Sequence, residues 1–263
     1  MRIVINERRI KRNRQVAQVL FFLSIAILLA GLVASSGLIP AAQSGLLFLA
    51  PLVVMPVGLF TTILSIRLTN LYVRPPHAED AINDGLKGFN KQSILYHYVF
   101  PGAEHVLVSP LGVFSLVTRF HETKFKVQEG YWINEKGRGP LAPIFIWLKQ
   151  EGIGKPFKQA DDEAALIQKL VDEALPDAKI EVQSIIVFTS DKAVLELIDP
   201  EIPVVYANAK KKPSLKGQIR DFREEKKDKP AILTNQQIDT LHNKILTAAG
   251  ATSQESALVE TEA

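Results

Sequence analysis

The chain has 263 residues, 47% of them hydrophobic and 22% charged, and both fractions are ordinary for a globular protein. The averages hide a segregation: no Asp, Glu, Lys or Arg occurs in the 52 residues from Gln15 to Ile66, which argues against a wholly soluble chain. Cysteine is absent, so disulfides, thiolate nucleophiles, zinc-thiolate sites and iron–sulfur clusters are excluded; the absence fits a cytosolic domain. The net charge of +3 is a sum of unlike parts. Residues 1–14 carry six Lys/Arg against Glu7, while the remainder carries 25 basic and 27 acidic residues. Positive charge is thus concentrated at the apolar end and does not form a nucleic-acid-binding face over the whole domain.

Residues 1–15 read as a basic cytoplasmic N-terminus. Residues 16–66 read as a transmembrane helical hairpin with spans at 16–34 and 45–66. Val16–Ala34 covers roughly 28 Å and Gly45–Ile66 roughly 33 Å at 1.5 Å per residue, close to the hydrocarbon thickness. Ser35–Ser44, rich in Gly, Pro and Ser, reads as the turn. Pro51 and Pro56 are tolerable in a membrane helix. Lys/Arg flank both spans and none sits in the turn, so the positive-inside rule predicts both termini and the main domain in the cytoplasm, an integral membrane protein with two spans and the lipid bilayer as partner. A cleaved signal peptide fits poorly, because a second span follows. Ala26, Ala30 and Ala34, four apart, are candidates for close helix contact.

Arg74-Pro75-Pro76 ends the second helix. His77–Asn90 reads as an amphipathic helix with Ala81, Ile82, Leu86 and Phe89 on one side, weakened by two glycines. Ser93–Phe100, Glu104–Ser109 and Gly112–Phe120 read as an antiparallel meander, and Thr123–Ile133 as a fourth strand region. Asn134–Gly139 reads as a loop, and Leu141–Lys149 fits neither period. Asp161–Leu175 reads as a helix with Asp161, Asp162 and Glu163 in its first turn and Leu166, Ile167, Leu170, Val171 and Ala174 as its buried stripe. Ser184–Thr189 has the pattern of a strand covered on both faces, and Val204–Tyr206 is another. The fold class is α/β: a mixed central β-sheet flanked by helices over residues 75–206, preceded by the two transmembrane helices. Residues 207–250 read as a charge-dense segment (Ala207–Pro230) with a C-terminal helix capped by Thr234 and Gln237. Residues 251–263 read as a disordered tail.

The chain holds no GxxxxGK[ST], GxGxxG, HExxH or GxSxG, and its five histidines lack metal-ligand spacing. His97 and His105 read as structural residues on strands. The informative stretch is Gly102–Trp132. Glu104-His105-Val106 opens a strand, Gly112-Val113-Phe114 opens the next, and Lys155-Pro156-Phe157-Lys158-Gln159 precedes the Asp161 helix. With Glu79 on the upstream helix, this order resembles the nuclease-related domain (NERD) family, within the PD-(D/E)XK nuclease-like fold, over residues 77–210. The resemblance implies a restriction-endonuclease-like sheet and places Glu79, Glu104, Arg119 and Gln159 at the positions of the family's catalytic motif. It also implies a Mg²⁺ site, for which Glu79 and Glu104 are the candidate ligands.

The departure carries the functional expectation. The family's Glu-x-Lys falls on Val117 and Arg119, which share one face of a strand. Val117 has no lone pair to offer a metal, and Arg119 stays protonated at neutral pH, so it cannot act as a base. The expected protein is a membrane-anchored cytoplasmic NERD-like domain with a degenerate, inactive site. It would serve as a binding or structural module with nucleic-acid contact and need no cofactor. Two alternatives stay open: a Mg²⁺-dependent DNA nuclease using Glu79 and Glu104, with Glu122 as a candidate third carboxylate, and a membrane scaffold for protein partners only.

Overall fold

The computed structural model describes residues 1–36, 50–128, 131–134, 153–225, 232–252 and 258–262. The expected turn at Ser35–Ser44 and the segment Leu141–Lys149 lie largely or wholly outside them. In chain order the elements are β1 (Arg2–Asn6), α1 (Glu7–Ser35), α2 (Ala50–Tyr72), α3 (Ala78–Gly85), β2 (Ile94–His97), β3 (His105–Ser109), β4 (Gly112–Arg119), β5 (Lys124–Gln128) and β6 (Tyr131–Asn134). There follow α4 (Pro156–Ala174), β7 (Val182–Phe188), β8 (Val194–Ile198), β9 (Val204–Tyr206), α5 (Leu215–Glu225), α6 (Asn235–Thr252) and β10 (Leu258–Glu262). Two compact units separate, one containing Ile10–Pro75, the other Met1–Arg9 and most of the chain after Pro76.

In the first unit, two helices, Glu7–Ser35 and Leu52–Tyr72, are long and apolar enough to cross a membrane. Their large apolar side chains, among them Val19, Phe22, Leu32, Leu52 and Phe60, are exposed. The first helix begins earlier than the expected 16, because Arg and Lys are good helix formers and nothing in Glu7–Gln15 breaks it. The second runs past the expected Ile66 to Tyr72 for the same reason, with Pro51 in its first turn and Pro56 inside. Along α1 the buried residues are Ile10, Ala17, Ser24 and Gly31, seven apart. On α2, Gly58, Ser65 and Tyr72 are buried at the same interval. A Cβ added at Gly31 would stand 3.0 Å from Val54, and one at Gly58 would stand 2.9 Å from Leu28, so both glycines are needed for the helices to approach. The expected Ala26 and Ala30 are exposed instead. The seam follows a seven-residue repeat of small side chains, not the four-residue repeat of alanines.

The second unit is mixed α/β. Its seven-stranded sheet has the order β10-β1-β2-β3-β4-β7-β9. β2, β3 and β4 form the expected antiparallel meander, and α4 crosses over to set β7 parallel to β4. Three strands were unexpected, β1, β8 and β10. β1 lies between β2 (parallel) and β10 (antiparallel), with Arg2 opposite Glu262. The N-terminal residues are therefore sheet as well as basic flank, and part of the tail expected to be disordered is a strand. One sheet was expected, yet β5 belongs to a second, three-stranded sheet of order β6-β5-β8. The reason is the pattern of β5: Phe125 and Val127 are buried while Lys124, Lys126 and Gln128 are half-exposed, so only one face can be covered.

Alternate residues of β4 face opposite ways, as expected. Phe114 and Leu116 join Leu95, Leu107, Ile185 and Val187 under Ile82 of α3, Leu86 just after it, and Leu215 and Ile219 of α5. Val113, with Val106, Val108 and Val182, packs under Ile167 and Val171 of α4 and Leu241 and Ile245 of α6. The sheet thus carries two cores on opposite faces. Leu166 is exposed, because the buried stripe of α4 runs through Glu163, Ile167 and Val171, four apart. α3 is shorter than expected and ends at Gly85, where a Cβ would fall 2.0 Å from the Ala207 carbonyl oxygen; only glycine allows that approach. Thr234 and Gln237 form the expected capping box at the start of α6.

Candidate functional site

The residues singled out by the NERD-like pattern gather at one end of the central strands, where β2 and β4 finish and β3 begins. α4 starts at Pro156, five residues before the expected Asp161, since proline suits the first helical position. Gln159 therefore stands in the first turn of α4 and Glu163 one turn later, and the three acidic residues do not occupy the first turn. Arg119, at the end of β4, donates from Nη1 to the Thr118 carbonyl (2.7 Å) and from Nη2 to Gln159 Oε1 (2.8 Å). Gln159 Nε2 then donates to Glu163 Oε1 at 2.7 Å. The Glu163 side chain is buried, and its carboxyl is pushed up to about 7. Burial is the main cause; the hydrogen bond from Gln159 opposes it, the Glu104 carboxylate pushes the same way as burial, and the Glu104 backbone and the Arg119 charge pull it down.

Glu79 is buried in the first turn of α3 and accepts a hydrogen bond from the Tyr98 hydroxyl at 3.3 Å. Tyr98 follows β2 with φ of 59°, a left-handed conformation uncommon for a bulky residue. Its N–H donates to the Glu104 carbonyl (2.6 Å), and Arg9 Nη1 donates to the carbonyls of Tyr98 (3.1 Å) and Phe100 (2.6 Å). These contacts fix the turn. Tyr98 thus touches Glu79 with its side chain and Glu104 with its backbone, and Glu104 adjoins Glu163. All four expected residues, Glu79, Glu104, Arg119 and Gln159, belong to one connected polar chain. Glu122 does not take part through these contacts: it accepts from Ser190 (3.5 Å) and pairs with Lys192 (3.3 Å).

Glu163 and Tyr98 were missed in the sequence. Glu163 had a readable signal, because it lies four residues after Gln159 and four before Ile167, inside the apolar stripe of α4. Val117 is buried with Phe125, Phe157 and Phe188. Among the described residues, no group of three or more His, Asp or Glu is placed to hold a metal ion. A hydrocarbon at the central ligand position and a guanidinium where the family has lysine do not fit the Mg²⁺ site that the resemblance implies. Chemically, the arrangement holds a fixed cation and a carboxyl that changes protonation near neutral pH.

On the α3 side, His97 and His105 are structural, as expected. His97 Nε2 lies 3.0 Å from Asn83 Oδ1, and its Nδ1 lies 2.8 Å from His105 Nδ1. With Asn83 Oδ1 as acceptor, His97 carries its hydrogen on Nε2 and accepts from His105 on Nδ1. Burial lowers His97 to about 3, and burial together with His97 lowers His105 well below its usual value. In the charge-dense segment, Lys216 donates to the Lys87 carbonyl (2.6 Å) and Lys211 lies 4.7 Å from the Tyr206 ring centroid. No protein-family model, no curated protein and no solved structure matches this chain.

Proposed function

We propose that the chain is a membrane-anchored, NERD-like domain protein whose nuclease-type site has lost catalysis, and which works as a binding or structural module touching nucleic acid through Arg119. The helix–meander–crossover order α3-β2-β3-β4-α4-β7, with β5 and β6 interposed before α4, supports the fold reading. The observation that carries the functional reading is the pair Val117 and Arg119. The first is sealed among aromatic rings; the second is tied to Gln159. Of this pair, Arg119 can neutralise a phosphate, but neither residue can hold a metal ion or act as a base at neutral pH. The membrane reading draws support from β1. Arg2 pairs with Ile94, so the segments just before α1 and after α2 belong to one sheet, and the two helices between them cross an even number of times. Lys/Arg at both outer flanks support the cytoplasm as that side.

The test uses the full chain in detergent with duplex DNA and Mg²⁺ or Mn²⁺. No cleavage is expected, with weak and steeply salt-dependent binding that Arg119→Gln reduces. Val117→Glu with Arg119→Lys restores the family pattern and should gain metal binding by calorimetry. Metal-dependent cleavage by the unaltered chain that disappears on Glu104→Ala would replace this reading with that of an active nuclease. Salt-insensitive absence of DNA binding would replace it with that of a protein scaffold.

A further inference from the structure

We propose that the loop joining β9 to α5 holds the phosphate backbone of a nucleic acid through Lys210 and Lys212, in line with Arg119. The inference deepens the reading above and rests on it for the Arg119 end. The sheet places the loop. β4, β7 and β9 are parallel neighbours, and Arg119, Phe188 and Tyr206 stand level across them. The segments that leave these three strands therefore emerge side by side at one end of the sheet. Two strand spacings of about 4.8 Å separate the end of β4 from the end of β9, roughly 10 Å. Each strand end carries positive charge: Arg119 closes β4, Lys192 follows β7, and Lys210, Lys211 and Lys212 follow β9. Lys192 is paired with Glu122 at 3.3 Å and is left out of the contact set.

The loop is tied at both ends. The Ala207 N–H donates to the Phe188 carbonyl and the Tyr206 N–H to the Pro213 carbonyl, each at 2.9 Å. Asn208 bends it: Oδ1 accepts from the Lys210 N–H (2.9 Å), and Nδ2 donates to both oxygens of the Asp191 carboxylate (3.0 and 2.9 Å). The Lys211 ammonium donates to the carbonyls of Asp191 and Ala193 and lies 4.7 Å from the Tyr206 ring centroid. Lys211 is thus the anchor, while Lys210 and Lys212 on either side of it are exposed. The Thr189 N–H donates to the Arg119 carbonyl (3.0 Å), which joins the same surface to the end of β4. A loop ordered in advance loses little freedom on binding. Arg119 shares its site with Glu163 and Glu104, which lower its pull on an anion. Residues 207–213, with three Lys and no Asp or Glu, supply the charge that the Arg119 end lacks. The length fits a polyanion. A nucleic-acid strand carries one phosphate per 3.4 Å of axis, so roughly three phosphates span the row. A single phosphate group could meet only one end of it.

The experiment measures binding of a fluorescent DNA duplex to the full chain in detergent, by anisotropy over a range of salt. Each phosphate neutralised contributes about 0.9 to the slope of log K against log salt. Lys210→Gln/Lys212→Gln should therefore flatten the slope by about 2, and Arg119→Gln by about 1. Lys210→Arg/Lys212→Arg should keep it. Lys91 is exposed and precedes β2, at the opposite end of the sheet, so Lys91→Gln should leave the slope unchanged. A slope that falls in Arg119→Gln but not in Lys210→Gln/Lys212→Gln overturns this inference and leaves the reading of Arg119 standing. An equal fall per charge removed in Lys91→Gln also overturns it, because attraction would then be spread over the whole surface. A slope that falls in Lys210→Gln/Lys212→Gln but not in Arg119→Gln keeps the loop as the phosphate contact and removes Arg119 from it. Absence of DNA binding by the unaltered chain overturns both.

Discussion

The two faces of the seven-stranded sheet are built from the same strands, but the groups whose protonation burial shifts are histidines on one and a carboxyl on the other. Under α3 and α5 the core is Leu95, Leu107, Phe114, Leu116, Ile185 and Val187, and its buried polar groups include Glu79 and two neutral histidines hydrogen-bonded to each other and to Asn83. Under α4 and α6 lie Val113, Ser115 and Val117, and the buried polar groups include the Tyr96–His242 pair and a carboxyl, Glu163, linked through Gln159 to Arg119. The first face buries bases that resist gaining a proton. The second buries an acid that resists losing one. Burial disfavours charge in both, so the two faces respond to pH in opposite directions.

The largest expected effect tests whether the α3 face is the main store of stability. Phe114→Ala should destabilise the full chain in detergent by about 3–5 kcal/mol in a urea titration followed by tryptophan fluorescence. Leu166→Ala, on an exposed position of α4, should change stability by no more than about 0.5 kcal/mol. A comparable loss from both would erase the distinction between the faces. The full chain is required, because a fragment beginning at residue 75 lacks β1, an interior strand of the sheet.

Glu163→Gln sharpens the contrast on the α4 side. The native carboxyl is held up at about 7 against an ordinary 4.5, so the folded state keeps a proton that the unfolded state releases between those values. Its contribution is fully present below pH 4.5 and is lost as pH rises through about 7, a penalty of up to about 3 kcal/mol. Glutamine keeps the acceptor for Gln159 without the charge. The variant should match the unaltered chain at pH 5 and exceed its stability at pH 8. Equal stability at both values would mean the carboxylate is solvated in the native state.

Much of this fold was legible in the sequence, and the gaps have physical causes. The alternation of β4 gave both of its faces correctly, because period two leaves no ambiguity once the strand is found. The family pattern brought Arg119 and Gln159 to one site 40 residues apart in sequence, where they are hydrogen-bonded. β1 went unread because five residues beside a basic run offer too little alternation, and its pairing depends on strands from the far side of the helix hairpin. The helix seam went unread because Ala17, Ser24 and Gly31 do not stand out in an apolar span; only their seven-residue interval distinguishes them. Glu163 looked like a dipole partner at a helix start. The helix starts earlier, and that shift of register makes the residue interior.

The smallest effect belongs to the histidine side and must carry the opposite sign. His97 is held down to about 3 by burial, against 6.5 when exposed. The unfolded chain therefore binds a proton below pH 6.5 that the folded chain refuses. The stability from keeping His97 neutral is present above pH 6.5 and drains away as pH falls toward 3, reaching about 2 kcal/mol by pH 5. His105, lowered by the same burial and by His97, acts in the same direction. Against a Glu163→Gln background, which removes the opposing titration, stability should fall steadily as pH drops from 7 to 5. His97→Gln in that background should flatten the slope, because its amide can bond Asn83 but has no proton to gain. A slope unchanged by His97→Gln would place the acid sensitivity elsewhere. The two faces would then differ in composition but not in their response to protons.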